Sequence, residues 1–85
     1  MFYVYLLQSE KDGSFYIGYT SNLELRIKEH NNGKGRYTKK KAPWSLVYVE
    51  RFAIKSDALR RERFLKRQKN RAFYEKLIRG RSSVG

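Results

Sequence analysis

Two short apolar runs open the chain. Phe2–Gln8 and Phe15–Thr20 are rich in aromatic and branched aliphatic residues, and a polar stretch containing Asp12-Gly13 separates them. Asp-Gly suits a turn that needs positive φ, so the pattern predicts a strand, a hairpin turn and a return strand. With a two- or four-residue loop centred on Lys11–Ser14, Leu7 faces Gly18, Tyr5 faces Thr20 and Ser9 faces Tyr16. Side chains alternate across a strand, so Tyr5, Leu7, Tyr16 and Gly18 share one face, with Gly18 leaving an open spot between the two tyrosines. Val4, Leu6, Ile17 and Tyr19 take the other face. Both faces are apolar or aromatic, which predicts a sheet covered on both sides.

The pattern then changes to helical spacing. Ser21-Asn22-Leu23-Glu24 has the capping-box spacing, with Ser21 as N-cap, and the helix is expected to run to about Asn32 and stop at Gly33. On its wheel Leu23, Arg26, Ile27 and His30 form one arc, and Leu25 points the opposite way. Residues 33–42 are rich in Gly and Lys and read as a loop with room for one helical turn. Trp44–Phe52 has strand composition. Ser56 is expected to cap a helix from Asp57 to about Arg67, in which Ala58, Leu59 and Leu65 make the apolar arc and Glu62 and Lys66 fall inside it. An acid on an inward face is costly without a partner. Phe64 lies off that arc, toward a last helix capped by Asn70 and facing inward with Phe73, Leu77 and Ile78. The fold class is α+β, sandwich-like: a small three-stranded antiparallel sheet flanked by helices, in the order β-β-α-β-α-α. One domain is expected over 1–80, with a flexible basic tail over 81–85.

Composition narrows the function. Eighty-five residues make one small domain with a modest core. The absence of cysteine excludes a disulfide framework and thiolate zinc sites. Phe2–Leu7 is too short for the core of a secretory leader, and no apolar run approaches the ~20 residues of a membrane span, so a cytoplasmic protein without a membrane partner is expected. The net charge of +12 and a pI near 10.2 imply an anionic partner, of which nucleic acid is the commonest. The charge is uneven. Lys55–Arg81 holds eleven basic residues against three acids, and Lys34–Lys41 holds five cations and no acid.

Tyr3-Val4-Tyr5, then Tyr16-Ile17-Gly18, then Arg26 and His30 one helical turn apart, and finally Glu62 on a basic helix together resemble the GIY-YIG nuclease family. The closest likeness is to small stand-alone bacterial members. Tyr3 and Val4 depart from the family's Gly and Ile. The resemblance implies a metal-dependent endonuclease that hydrolyses phosphodiester bonds, with DNA in repair or recombination as the favoured setting and one divalent ion, Mg²⁺ or Mn²⁺, as cofactor. It assigns Tyr5, Tyr16, Arg26, His30 and Glu62 to catalysis, with Glu62 as metal ligand and Gly18 against the nucleic acid.

The residue chemistry agrees. A single carboxylate with phosphate oxygens and waters is a usual way to hold Mg²⁺. A guanidinium suits a phosphate whose charge grows during reaction. A tyrosine of ordinary pKa near 10 is a poor base unless cations lower it, as this basic chain would be expected to do. Tyr5, Tyr16 and His30 all remain candidates for the proton acceptor. Lys34, Arg36, Tyr37, Lys39, Lys40, Arg61 and Lys66 are expected to line the nucleic-acid path, and Tyr37, Trp44 and Tyr48 to stack on unpaired bases of single-stranded or branched substrates. A partner protein or a homodimer would add binding surface. The alternative is a non-catalytic DNA- or RNA-binding module with the same fold, in which Glu62 merely pairs with Lys66 one turn on.

Overall fold

The computed structural model describes residues 1–32 and 40–82. Three strands, β1 (Phe2–Ser9), β2 (Phe15–Thr20) and β3 (Trp44–Phe52), form an antiparallel sheet in the order β2-β1-β3. Helix α1 (Leu23–Asn31) follows β2, and α2 (Lys55–Gln68) and α3 (Arg71–Ser82) follow β3. The expected α+β class and element order are those observed. Gly80 lies within α3, so the helix extends beyond the expected start of the tail, and residues 83–85 lie outside the described residues.

The sheet divides two apolar clusters, as its two-sided pattern requires. On one face Val4, Leu6 and Ile17 pack with Ala58, Leu65 and Tyr74 from α2 and α3. On the other, Tyr5, Leu7 and Trp44 pack with Tyr16 and Val49 and with Leu23 and Ile27 of α1. Burying a large side chain contributes ~1.5–3 kcal/mol, so the wholly buried Val4, Leu6 and Leu7 of β1 anchor both layers. Leu25 is 52% exposed, as its place on the wheel predicts. The expected meeting of Phe64 with the last helix is a T-shaped contact with Phe73, ring centroids 6.3 Å apart.

Three local expectations are corrected. The hairpin pairs Tyr5 with Gly18, Leu7 with Tyr16 and Tyr3 with Thr20, a slip of two residues from the expected register. The cause is Ser9. Its carbonyl accepts from Gly13 N, its hydroxyl accepts from the amides of Lys11 and Asp12, and its amide donates to Ser14 O, so the loop closes over residues 10–13. A two-residue slip preserves alternation, so the predicted faces survive. The N-cap of α1 is Asn22 and not Ser21. Its Oδ1 accepts from Leu25 N at 3.1 Å, and Thr20 Oγ1 fixes its amide. Helix α2 begins at Lys55 after Ile54, with no side-chain cap, and Ser56 lies inside its first turn.

A β-bulge in β3 matters for the site. Leu6 pairs with Tyr48 but Leu7 pairs with Leu46, so Val47 is the extra residue. Beyond the bulge the faces exchange. Trp44 and Tyr48 would share a face in a regular strand. The bulge turns Trp44 to the Tyr5 side, while Tyr48 stays on the α2 side.

Tyr48, Glu50 and Arg61 tie α2 to β3. The Glu50 carboxylate accepts from Arg61 Nε and Nη2, each at 3.0 Å, and from the Tyr48 hydroxyl. Burial, and next the bond to Glu50, pushes the Tyr48 phenol up to about 12. Substituting Glu50→Ala leaves two half-buried donors without their acceptor, and a loss of ~1–3 kcal/mol is expected in urea unfolding. The Tyr48 titration should move back toward 10. An unchanged unfolding midpoint would show that the pairing contributes nothing.

Candidate active site

The site forms where β1, β2 and α1 meet. Tyr5, on the central strand, is 2% exposed. Its hydroxyl is hydrogen-bonded to His30 Nε2 at 3.0 Å. Tyr16, across the β1–β2 pair, places its ring edge-on to His30 with centroids 4.8 Å apart, and 6.5 Å from the Tyr5 ring. Trp44 buttresses Tyr16 from the start of β3, at 6.0 Å. The amide of Trp44 donates to Asn31 Oδ1 at 2.6 Å, and Asn31 Nδ2 donates back to Trp44 O at 3.3 Å. The last turn of α1, which carries His30, is thereby fixed to β3.

Gly18 makes the Tyr5–His30 contact possible. A Cβ at position 18 would lie 2.7 Å from Tyr5 Cζ and closer still to its hydroxyl. The space above Gly18 was expected to stay open between the tyrosines. The Tyr5 phenol fills it on its way to His30.

The electrostatics centre on the Tyr5 hydroxyl. Burial is the main cause that raises its pKa well above 10. Tyr16 and Glu62 raise it further, and Arg26 opposes them. The expectation that the basic surroundings would lower it is overturned, because desolvation outweighs the one nearby guanidinium. His30 is 7% exposed, and burial, then the charge of Arg26, holds its pKa below the usual 6.5. The pair is thus a neutral phenol against a neutral imidazole near pH 7.

Arg26 and Glu62 complete the group from opposite layers. Arg26 lies one turn before His30 on α1, half exposed, with Nη1 3.5 Å from Glu29 Oε1. Glu62 stands on α2, its side chain 16% exposed, with Oε2 3.3 Å from Lys66 Nζ. The inward acid of the wheel is therefore mostly buried, and its i,i+4 ion pair is also present. Among the described residues no three His, Cys, Asp or Glu side chains converge as a metal cluster. A lone, hard carboxylate fits an ion held mainly by water and phosphate oxygens and does not fit zinc.

The wider nucleic-acid residues divide. Lys34, Arg36, Tyr37 and Lys39 lie outside the described residues. Lys40 is exposed, and its carbonyl accepts from Lys11 Nζ at 3.4 Å. The Arg61 guanidinium is bound by Glu50 and lies over the Phe64 ring at 5.2 Å, so the structure gives it a clamping role. Trp44, at 3% exposure, is buried against Tyr16 and presents no face to a base, and the Tyr48 hydroxyl is held by Glu50. The sequence reading missed Asn31 and Tyr74. The buried Tyr74 hydroxyl donates to Leu65 O at 2.7 Å and accepts from Lys69 N at 3.2 Å, locking the α2–α3 corner. No spacing signal marks Asn31. The i+3 and i+4 positions of Tyr74 relative to Leu77 and Ile78 do place it on the inward face of α3.

Adding even one methyl at Gly18 forces the Tyr5 ring away from His30. Gly18→Ala is expected to lose ~1–3 kcal/mol of stability by overpacking. The His30 ring resonances in NMR spectra should shift with it. A variant with wild-type stability and unshifted His30 signals would refute the close-approach role of Gly18.

Known proteins resemble this chain over most of its length. Residues 1–76 match the model of the GIY-YIG catalytic domain. A UPF0213 protein of Staphylococcus haemolyticus is 56% identical over 61 residues, which cover 71% of this chain and 73% of that protein. A UPF0213 protein of Streptococcus pneumoniae is 46% identical over 79% of this chain and 68% of its own length. The solution NMR structure of the UPF0213 protein BH0048 from Bacillus halodurans superposes with a TM-score of 0.57 at 41% identity, covering 92% of this chain and 83% of that one. The chain belongs to the GIY-YIG family, among its small bacterial UPF0213 relatives.

Proposed function

We propose that the protein is an endonuclease that hydrolyses phosphodiester bonds of DNA with one divalent cation, Mg²⁺ or Mn²⁺. The observation that carries this reading is the hydrogen bond between Tyr5 and His30, with Tyr16 edge-on to His30 and the charges of Arg26 and Glu62 felt at the Tyr5 hydroxyl. A neutral phenol cannot take a proton from water and keep its own. It can receive one on its oxygen while passing its own to His30 Nε2, and a neutral imidazole is ready to accept it. The acceptor left open among Tyr5, Tyr16 and His30 is then the Tyr5–His30 pair. Tyr16, edge-on to His30, fixes the imidazole plane. Arg26, half exposed at the mouth of the site, grips the scissile phosphate and offsets its growing charge. Glu62 would hold the divalent ion, which when bound supplies charge neutralisation at the phosphate.

A repair or recombination setting is consistent with the charge of +12, which favours phosphate-rich partners. Among the described residues no helix is long and apolar enough to cross a membrane.

Incubation with labelled single-stranded, duplex and branched DNA in Mg²⁺, Mn²⁺ or EDTA tests the proposal. Metal-dependent cutting is expected. Glu62→Gln should lower it by about 10²–10³-fold while DNA binding persists. If neither protein cuts any substrate and both bind alike, the chain is a binding module. Marked preference for RNA in the same assay would move the substrate to RNA.

The depressed pKa of His30 gives a second prediction. Below pH 6.5 the unfolded chain takes up a proton at this position more readily than the folded one, so stability is lost as pH falls through that range and is fully present above it. Cutting should likewise persist below pH 6.5 before His30 protonates. NMR titration of His30 with a midpoint at or above 6.5 would contradict both.

A further inference from the structure

A groove of about 450 Å³ lies between β2 and the α2–α3 corner, lined by Phe15, Tyr16, Ile17, Lys66, Lys69 and Tyr74. Two of these residues are lysines and none is an acid. β2, which supplies one wall, is an edge strand of the sheet. It starts beside Tyr16, a member of the active site. Lys66 lines the groove and also holds Glu62, with its Nζ 3.3 Å from Oε2. One ammonium therefore serves two places. The exposures differ: Glu62 is 16% exposed and Lys66 53%, so the carboxylate is the more enclosed partner and the ammonium the more solvated one. An i,i+4 pair whose cation is more than half exposed holds weakly. A divalent ion at Glu62 brings twice the charge to the carboxylate and repels the ammonium. A lysine on a flexible four-carbon stem can then turn to another anion without fixed geometry.

We propose that Lys66 is a shared cation. It neutralises Glu62 when no divalent ion is bound, and passes to a backbone phosphate of a DNA strand lying in the groove when the ion takes that carboxylate. Lys69 holds a neighbouring phosphate of the same strand. The Phe15 and Tyr74 rings carry the sugars, and the groove directs the strand toward Tyr16. This rests on the reading of Glu62 as metal ligand, and couples metal loading to grip on the substrate: the protein holds DNA in this groove more tightly when armed to cut.

Two measurements test the proposal on wild type, Lys66→Gln, Lys66→Arg, Lys69→Gln and Glu62→Gln. The first is Mn²⁺ binding without DNA, followed by the spin-resonance signal of the free ion. The second is binding of a fluorescein-labelled duplex in EDTA or in Ca²⁺ across a salt series. Lys66→Gln is expected to bind Mn²⁺ about twofold tighter, because the competing cation is gone. In Ca²⁺ the same variant should bind DNA several-fold more weakly, with its salt slope reduced by about one unit. In EDTA, where Glu62 competes for Lys66, that loss should be about twofold smaller. Lys66→Arg should restore DNA binding in Ca²⁺, and Lys69→Gln should weaken binding in both conditions. Equal loss for Lys66→Gln with and without Ca²⁺, or Mn²⁺ binding that is unchanged or weaker, overturns the shared-cation role. If Glu62→Gln binds Mn²⁺ like wild type, the ligand role of Glu62 falls, and the proposal falls with it. If Glu62→Gln loses Mn²⁺ but the metal dependence of Lys66→Gln is absent, the shared-cation proposal alone falls.

Discussion

The hydrogen bond between Tyr5 and His30 is the contact on which the rest of the arrangement depends. It joins the central strand to the last turn of the first helix, and it does so in a nearly dry place. A buried hydroxyl without a partner costs ~1–3 kcal/mol. The fold therefore has to bring an acceptor to Tyr5, and everything near it serves that need. Gly18 leaves out the side chain that would block the phenol. Asn31 holds the end of the helix to the start of β3, and Trp44, turned over by the bulge at Val47, supports the Tyr16 ring that faces the imidazole. The same dryness sets the chemistry, since it keeps the phenol protonated and the imidazole neutral.

The residues of the candidate site come from both sides of the sheet. Arg26 and His30 come from the layer of α1, and Glu62 from the layer of α2 that packs against Val4, Leu6 and Ile17. A three-stranded sheet is narrow enough for a charge on α2 to be felt at Tyr5. This explains why the Tyr48–Glu50–Arg61 clamp matters beyond stability. It ties Arg61, the residue before Glu62 on α2, to β3.

Much of this could be read from the residues. Alternation along Phe2–Gln8 and Phe15–Thr20 identified the two faces of the hairpin, and it survived a register slip because the slip was even. Helical spacing put His30 on the inward arc and Leu25 outside, and placed Glu62 among apolar neighbours. What escaped were effects that no single segment encodes. The register was decided by the Ser9 hydroxyl, which competes for turn amides. The environment of Trp44 was decided by one extra residue in β3. The sign of the Tyr5 shift was decided by burial against charge, and a sequence shows the cations but not the depth at which the phenol lies. Arg61 looked like a phosphate contact because its partner Glu50 is distant in sequence.

The central claim is that Tyr5 and His30 act as one proton-accepting unit. A double-mutant cycle on single-turnover DNA cleavage tests it, with Tyr5→Phe, His30→Ala and the pair combined. Groups that act through one shared bond are non-additive. The account predicts that each single change slows cleavage by about 10²–10⁴-fold and that the double variant is little slower than either. Losses that multiply in the double variant would show two independent roles and contradict it.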